Sequence, residues 1–181
     1  MDFNEVKAYR GYKYLLVVVC TYSEWAEAYP TRTEWAQEVA KALIRDTIPR
    51  YGLPVSIESD NGPGFVSEII QILSRTLGIK WKLHTAYRPQ NSGKVEHMNQ
   101  TLKTTLAKLC QETQLSWVDI LPLVLLRAQC TLGSSGYSPF DILYGRMPPV
   151  ILKLKGNPQQ VAGLEMSRHL QALGKVFYHI S

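Results

Sequence analysis

Cysteine is scarce in this sequence of 181 residues: Cys20, Cys110 and Cys130 are odd in number and widely scattered, which excludes a disulfide framework and a CxxC metal knuckle. Such usage fits a reducing, intracellular compartment. The four histidines, His84, His97, His169 and His179, show no zinc-ligand spacing, so no structural zinc is expected. Also missing is any apolar run near the roughly 20 residues needed to cross a bilayer, the greasiest being residues 15–19. No signal-peptide pattern opens the chain. A soluble protein without membrane contact is the expectation.

What is present is enough for one well-buried core: 45% apolar content over this length suits one domain with a tail. Lysine and arginine outnumber aspartate and glutamate by 20 to 15, a net charge of +5. That balance favours polyanionic partners without identifying one.

Alternation and turn residues predict three strands early in the chain, over 2–7, 14–19 and 25–29, with a turn at Gly11 and connections short enough for an antiparallel meander. Thr31 and Glu34 form a capping-box pattern before the stripe Trp35, Val39 and Leu43, flanked by Ala36, Ala40 and Ile44. The helix this predicts ends at Pro49 and Gly52. A strand over 55–59 runs into the turn-rich Asp60-Asn61-Gly62-Pro63-Gly64. A helix from about Phe65 to Gly78, a strand over 79–83, a loop over 87–93 and a long helix over 94–112 follow. Ser116 and Asp119 mark another helix start, with Pro122 expected to kink or shorten it, and 138–144 reads as one short helix. A meander followed by alternating strand and helix predicts an α/β fold with a mixed sheet. Residues 1–145 form the predicted domain, 146–160 a linker rich in proline and glycine, and 161–181 an amphipathic C-terminal helix.

On the long helix, steps of about 100° per residue put Val95, Met98, Leu102, Leu106 and Leu109 on one side, expected to be buried. Glu96, Gln100, Lys103 and Ala107 take another side, with Asn99 at its border, so an acid and a base share a surface. Asp60 lies where a strand gives way to a turn, at the carboxyl edge of the sheet, and Asp2 lies on the first strand. Taken singly, each carboxylate reads as a turn former or a solvated residue. The surrounding pattern supplies the specificity. Thirty-five residues separate Asp60 from Glu96; the first stands in Ser59-Asp60-Asn61-Gly62, the second in a stretch from Tyr87-Arg88-Pro89-Gln90 through Ser92-Gly93-Lys94-Val95-Glu96 to Asn99.

Those residues resemble the catalytic core of retroviral integrases, the gammaretroviral type in particular, from Asp2 to about Gly145. The resemblance implies a ribonuclease H-like fold, with a five-stranded mixed sheet and helices on both faces. It implies that Asp2, Asp60 and Glu96 are catalytic and hold two Mg²⁺ (or Mn²⁺) ions when DNA is bound. Hard cations take oxygen ligands, and anionic ligands offset charge so that two ions can sit about 3.5–4 Å apart. 3′-end processing and strand transfer would then share one site, with different nucleophiles. By the same resemblance, Asn91, Ser92 and Gly93 belong to a mobile active-site loop that contacts DNA, and Asn99 and Lys103 meet viral-end DNA. Lys103 would supply charge for a phosphate and Gly93 a backbone free to bend. Viral or retroelement DNA ends, target DNA and a second copy of the chain, as a homodimer, are the implied partners; the nucleus or the viral particle is the implied location.

Three features depart from the family pattern. Asp2 follows Met1 directly, where relatives carry several residues before the catalytic Asp; Cys20 stands where gammaretroviral relatives usually carry Asp, and Cys130 where Asn is usual. The zinc domain and the basic module that flank such cores are missing, which reads as a core fragment. Two other readings compete: a catalytically silent, domesticated module that dimerises through the Trp35 stripe and Leu123, Leu125 and Leu126 or binds nucleic acid, and a ribonuclease H or other nuclease of the same fold. The loop-to-helix motif disfavours the latter.

Overall fold

The computed structural model describes residues 1–83, 89–133, 135–149 and 164–180. They fall into two compact units, Met1–Val18 with Ala28–Glu96 and Val19–Glu27 with His97–Ser181.

In the first unit, β1 (Asp2–Tyr9), β2 (Tyr12–Val19) and β3 (Ala26–Thr31) line up in that order. β1 and β2 run antiparallel, Asp2 opposite Val17 and Tyr9 opposite Tyr12, with a register shift between Glu5 and Tyr9. Arg10 and Gly11 close the hairpin at φ 48° and 85°, because a two-residue turn matched to strand twist needs positive φ at both centres. β4 (Ser56–Ser59) and β5 (Lys80–Leu83) pair in parallel, Ser59 opposite Leu83. The predicted meander and the mixed character of the α/β fold are both present. The five strands divide into a three-stranded and a two-stranded ladder. The Met1 ammonium, one residue ahead of β1, donates to the Glu58 carbonyl of β4 at 2.6 Å, which sets the start of β1 beside β4.

α1 (Ala36–Lys41) continues through a π-helical segment, Ala42–Thr47, into α2 (Ile48–Tyr51). The predicted Thr31/Glu34 capping box does not form. Thr31 is the last residue of β3 and is buried, and α1 starts after Trp35 with no side-chain cap. Pro49 does not end the helix either. It falls in the first turn of α2, where a missing N–H is tolerated, and Gly52 ends it, its N–H donating to the Ile48 carbonyl at 2.8 Å. The helix expected over 65–78 comes as α3 (Pro63–Val66) and α4 (Glu68–Leu77), since Ser67 is extended and caps α4. Left-handed Gly78 closes α4.

Leu16, Val39, Leu43, Ile57, Phe65 and Ile70 lead the core of this unit, each side chain contributing about 1.5–3 kcal/mol by leaving water. Gly64 marks a close backbone approach: a Cβ there would collide with the Glu34 carbonyl oxygen and press on the Phe3 ring at 3.2 Å.

The second unit is helical. α5 (Pro89–Thr113), whose first residues belong to the first unit, begins about five residues earlier than expected, so Asn91, Ser92 and Gly93 are helical rather than in a loop. Proline suits that start, where its N–H would have no partner. Asn99, Leu102, Leu106, Leu109 and Thr113 form its buried stripe. α6 (Trp117–Cys130) is capped by Ser116, which accepts from Asp119 N at 3.2 Å. It runs unbroken past Pro122, contrary to expectation; burial of Ile120, Leu121 and Val124 outweighs the lost bond. α7 (Pro139–Tyr144) carries a full capping box between Ser138 and Asp141. Phe140 and Tyr144 pack on Trp25 at centroid distances of 6.2 and 5.6 Å. α8 (Leu164–Ile180) packs against α6, burying Ala172 and Val176. Most of the predicted linker, 150–160, lies outside the described residues. Among the described residues no helix is long and apolar enough to cross a membrane.

Candidate active site

Asp2 opens β1, half-buried, and Asp60 directly follows β4, exposed. The Met1–Glu58 hydrogen bond brings the residue before Asp2 to the strand that precedes Asp60. The electrostatics agree: burial pushes the Met1 ammonium below its ordinary pKa, and the charges of Asp2, Asp60 and Glu58 oppose that shift. Both aspartates thus act on one cation.

Asp60 is held by two bonds, and a third supports one of them. Its Oδ1 accepts from the Gly62 N–H at 3.0 Å, an Asx turn. Its carbonyl accepts from Ser59 Oγ at 3.0 Å, and that buried hydroxyl in turn accepts from the indole N–H of Trp81 at 3.0 Å. The parallel register, Ile57 opposite Trp81, makes this reach possible. Ser59, which stands in the motif quoted above, and Trp81 thus brace Asp60, a link that local sequence does not reveal. Their signal was faint: a serine ending a buried strand, and a tryptophan between two lysines in the next one.

Glu96 is exposed on α5 and belongs to the first unit with the two aspartates. Lys103 is exposed two turns further along, whereas Asn99 is only 6% exposed and lies in the buried stripe. Gly93 is exposed with open space where a Cβ would stand; the side chains of Asn91 and Ser92, and Tyr87 and Arg88 altogether, lie outside the described residues. The donor chemistry suits a hard cation: all three carboxylates offer oxygen, and neither Asp60 nor Glu96 forms an ion pair among the described residues. Yet among those residues no three His, Cys, Asp or Glu side chains stand close enough together to hold an ion. Like charges without a cation between them repel, which favours such separation.

The other departures are placed as well. Cys20 is exposed, Cys110 intermediate and Cys130 buried, all free thiols. Burial pushes the Cys110 thiol up, and burial together with the Asp141 charge does the same to Cys130.

Residues 1–89 match the model of the integrase core domain family. The chain is 59% identical over 152 residues to the Gag-Pol polyprotein of avian reticuloendotheliosis virus, covering 83% of this chain and 13% of that one. The chain therefore spans about an eighth of that relative's length. Among solved structures it is similar to the catalytic core domain of BIV integrase, with 30% identity, a TM-score of 0.65 and coverage of 78% of this chain and 90% of that one. It is also similar to the HTLV-2 integrase catalytic core domain in complex with magnesium, a trimeric form, with 26% identity, a TM-score of 0.64 and coverage of 78% and 93%. With its strand order, its aspartate pair and these relatives in agreement, the chain belongs to the retroviral integrase core domain family of polynucleotidyl transferases, with their ribonuclease H-like fold.

Proposed function

We propose that this chain is a working catalytic core that processes 3′ ends and transfers DNA strands at a site made of Asp2, Asp60 and Glu96. What supports this reading is that Asp2 and Asp60 both lie near the Met1 nitrogen, which bonds the Glu58 carbonyl of β4, with Glu96 exposed in the same unit. The three carboxylates would hold two Mg²⁺ or Mn²⁺ ions, which when bound activate the attacking oxygen and stabilise the leaving one. Asp60 would offer an oxygen already oriented by Gly62 and Ser59. Glu96, exposed on its helical turn and without an ion pair among the described residues, would swing toward the aspartates once cation charge offsets their repulsion. Asn91, Ser92 and Gly93 at the start of α5 would touch DNA, and Lys103 would take a phosphate. Asn99, buried in the stripe below, would serve chiefly by fixing the helix. The substrates would be viral or retroelement ends and target DNA, met in the nucleus or the viral particle.

The test is an oligonucleotide disintegration assay with Mg²⁺ or Mn²⁺. The natural sequence is expected to turn over, and Glu96→Gln to lose at least ~10²-fold of the rate, as loss of a preorganised charge does. Equal rates for the two would remove the carboxylate site from consideration. A second reading, a silent module that pairs as a homodimer, draws support from Trp35, 65% exposed at the head of α1. A dimer by light scattering, without any cleavage, would favour it.

A further inference from the structure

At the far end of β1 from Asp2 lies a second cluster, built on the β1–β2 hairpin. Tyr9 and Tyr12 are cross-strand partners, so their rings share one face of the ladder. Each carries a guanidinium: Arg10 lies over Tyr9 at 5.2 Å from the ring centroid, and Arg32, which follows β3, lies over Tyr12 at 5.6 Å. Arg32 also reaches the turn itself, its Nε 3.8 Å from where a Gly11 Cβ would stand. Both arginines are exposed, and neither forms an ion pair among the described residues. Lys13, exposed and likewise without an ion pair, stands beside them on the opposite face of β2.

Two things set this cluster apart from ordinary surface charge. Arg10 is held at φ 48°, a left-handed conformation that an arginine adopts at a cost and that glycine or asparagine would adopt easily. And two like charges sit on neighbouring rings, neither in an ion pair among the described residues, an arrangement that an anion bridging both would relieve. A guanidinium lying face-down on a ring keeps its in-plane N–H fork free, the geometry that grips a phosphate with two bonds. With one face of each tyrosine taken by a guanidinium, charge rather than base stacking dominates what this surface offers. The ligand is then a run of phosphates and not a base sequence.

We propose that the hairpin end of this sheet is a second contact for duplex DNA, gripping consecutive backbone phosphates through Arg10 and Arg32. It rests on the reading that the chain acts on DNA, but uses none of the residues of the carboxylate site. Seven residue steps along β1 separate the two places, about 23 Å at the usual rise, so this contact steadies a part of the duplex remote from the reacting bond.

The experiment measures binding of the full chain to a fluorescent 30-base-pair duplex from 50 to 300 mM salt, following anisotropy. Arg10→Gln with Arg32→Gln is expected to weaken binding at least several-fold at low salt and to flatten the slope of log affinity against log salt by about 2, near 0.9 per phosphate released. Arg10→Gly alone guards against an unfolding artefact: it relieves the backbone strain, so its melting temperature holds or rises while its affinity falls. An unchanged slope and affinity in both variants, with Lys103→Gln still weakening binding, would overturn this proposal and leave the catalytic reading standing. No duplex binding by the natural sequence would overturn both. If the variants bind DNA normally but lose a polyglutamate peptide, the surface recognises acidic protein and the proposal fails.

Discussion

At the scale of the residue, the geometry of Asp60 depends on a side chain outside the proposed carboxylate set. Trp81 donates to Ser59 Oγ, and Ser59 Oγ donates to the Asp60 carbonyl. Trp81→Phe keeps an aromatic ring to pack on Phe65, now at a centroid distance of 6.4 Å, and removes the N–H together with part of the indole. The expected result is a folded protein with about 10–100-fold weaker metal affinity or activity, the usual range for a supporting partner of a ligand. Assaying disintegration across Mg²⁺ concentrations would reveal it as a raised metal requirement, since a merely structural role would lower the rate without moving that requirement. The aspartates themselves were legible in the sequence because they sit in long motifs. Their supports were not, because a hydrogen bond between strands depends on parallel register, which no local pattern encodes.

At the scale of the element, end signals were read with mixed success, and for one reason. Ser116 and Ser138 cap helices as their sequences suggest, whereas Thr31 shows an equally good pattern but is claimed by strand β3. Tertiary pairing decides between two locally acceptable fates. The α7 cap has a pH signature. Hydrogen bonds from the Ser138 hydroxyl and then from its backbone N–H hold the Asp141 carboxyl below its ordinary pKa. A depressed carboxyl stabilises the fold above its unfolded value, and that contribution fades as pH falls through the lowered folded value. Asp141→Asn is therefore expected to be less stable than the natural sequence at neutral pH. The gap should narrow once the pH drops below about 4, the ordinary aspartate range, which thermal melts across pH can follow.

At the scale of the whole molecule, fold class and the order of strands and helices were readable from alternation and spacing, and the mixed sheets confirm that much. The early start of α5 and the continuity of α6 through Pro122 were not, because packing can sustain a helix that propensity alone would break. Nor did spacing warn that the three carboxylates would not close into one ion-holding group among the described residues; mutual repulsion is a property of assembled charges. Packing also sets a demand that composition hides at Gly64, beside the Glu34 carbonyl. Gly64→Ala must push α3 away from that backbone, and denaturant titration should find unfolding easier by about 1–3 kcal/mol, the usual cost of overpacking.

The π-helical segment ahead of α2 has a consequence of its own. Within it and just after it, Thr47 donates to the Ala42 carbonyl and meets the Tyr29 hydroxyl, while Arg50 reaches that same hydroxyl at 3.1 Å. A wide turn of this kind accommodates one residue more than an α-turn would. The stretch therefore holds surplus chain: a version shortened by one exposed residue, such as Arg45, could tighten to an ordinary coil with both flanks undisturbed, so that length can drift here without moving the strands that carry Asp2 and precede Asp60.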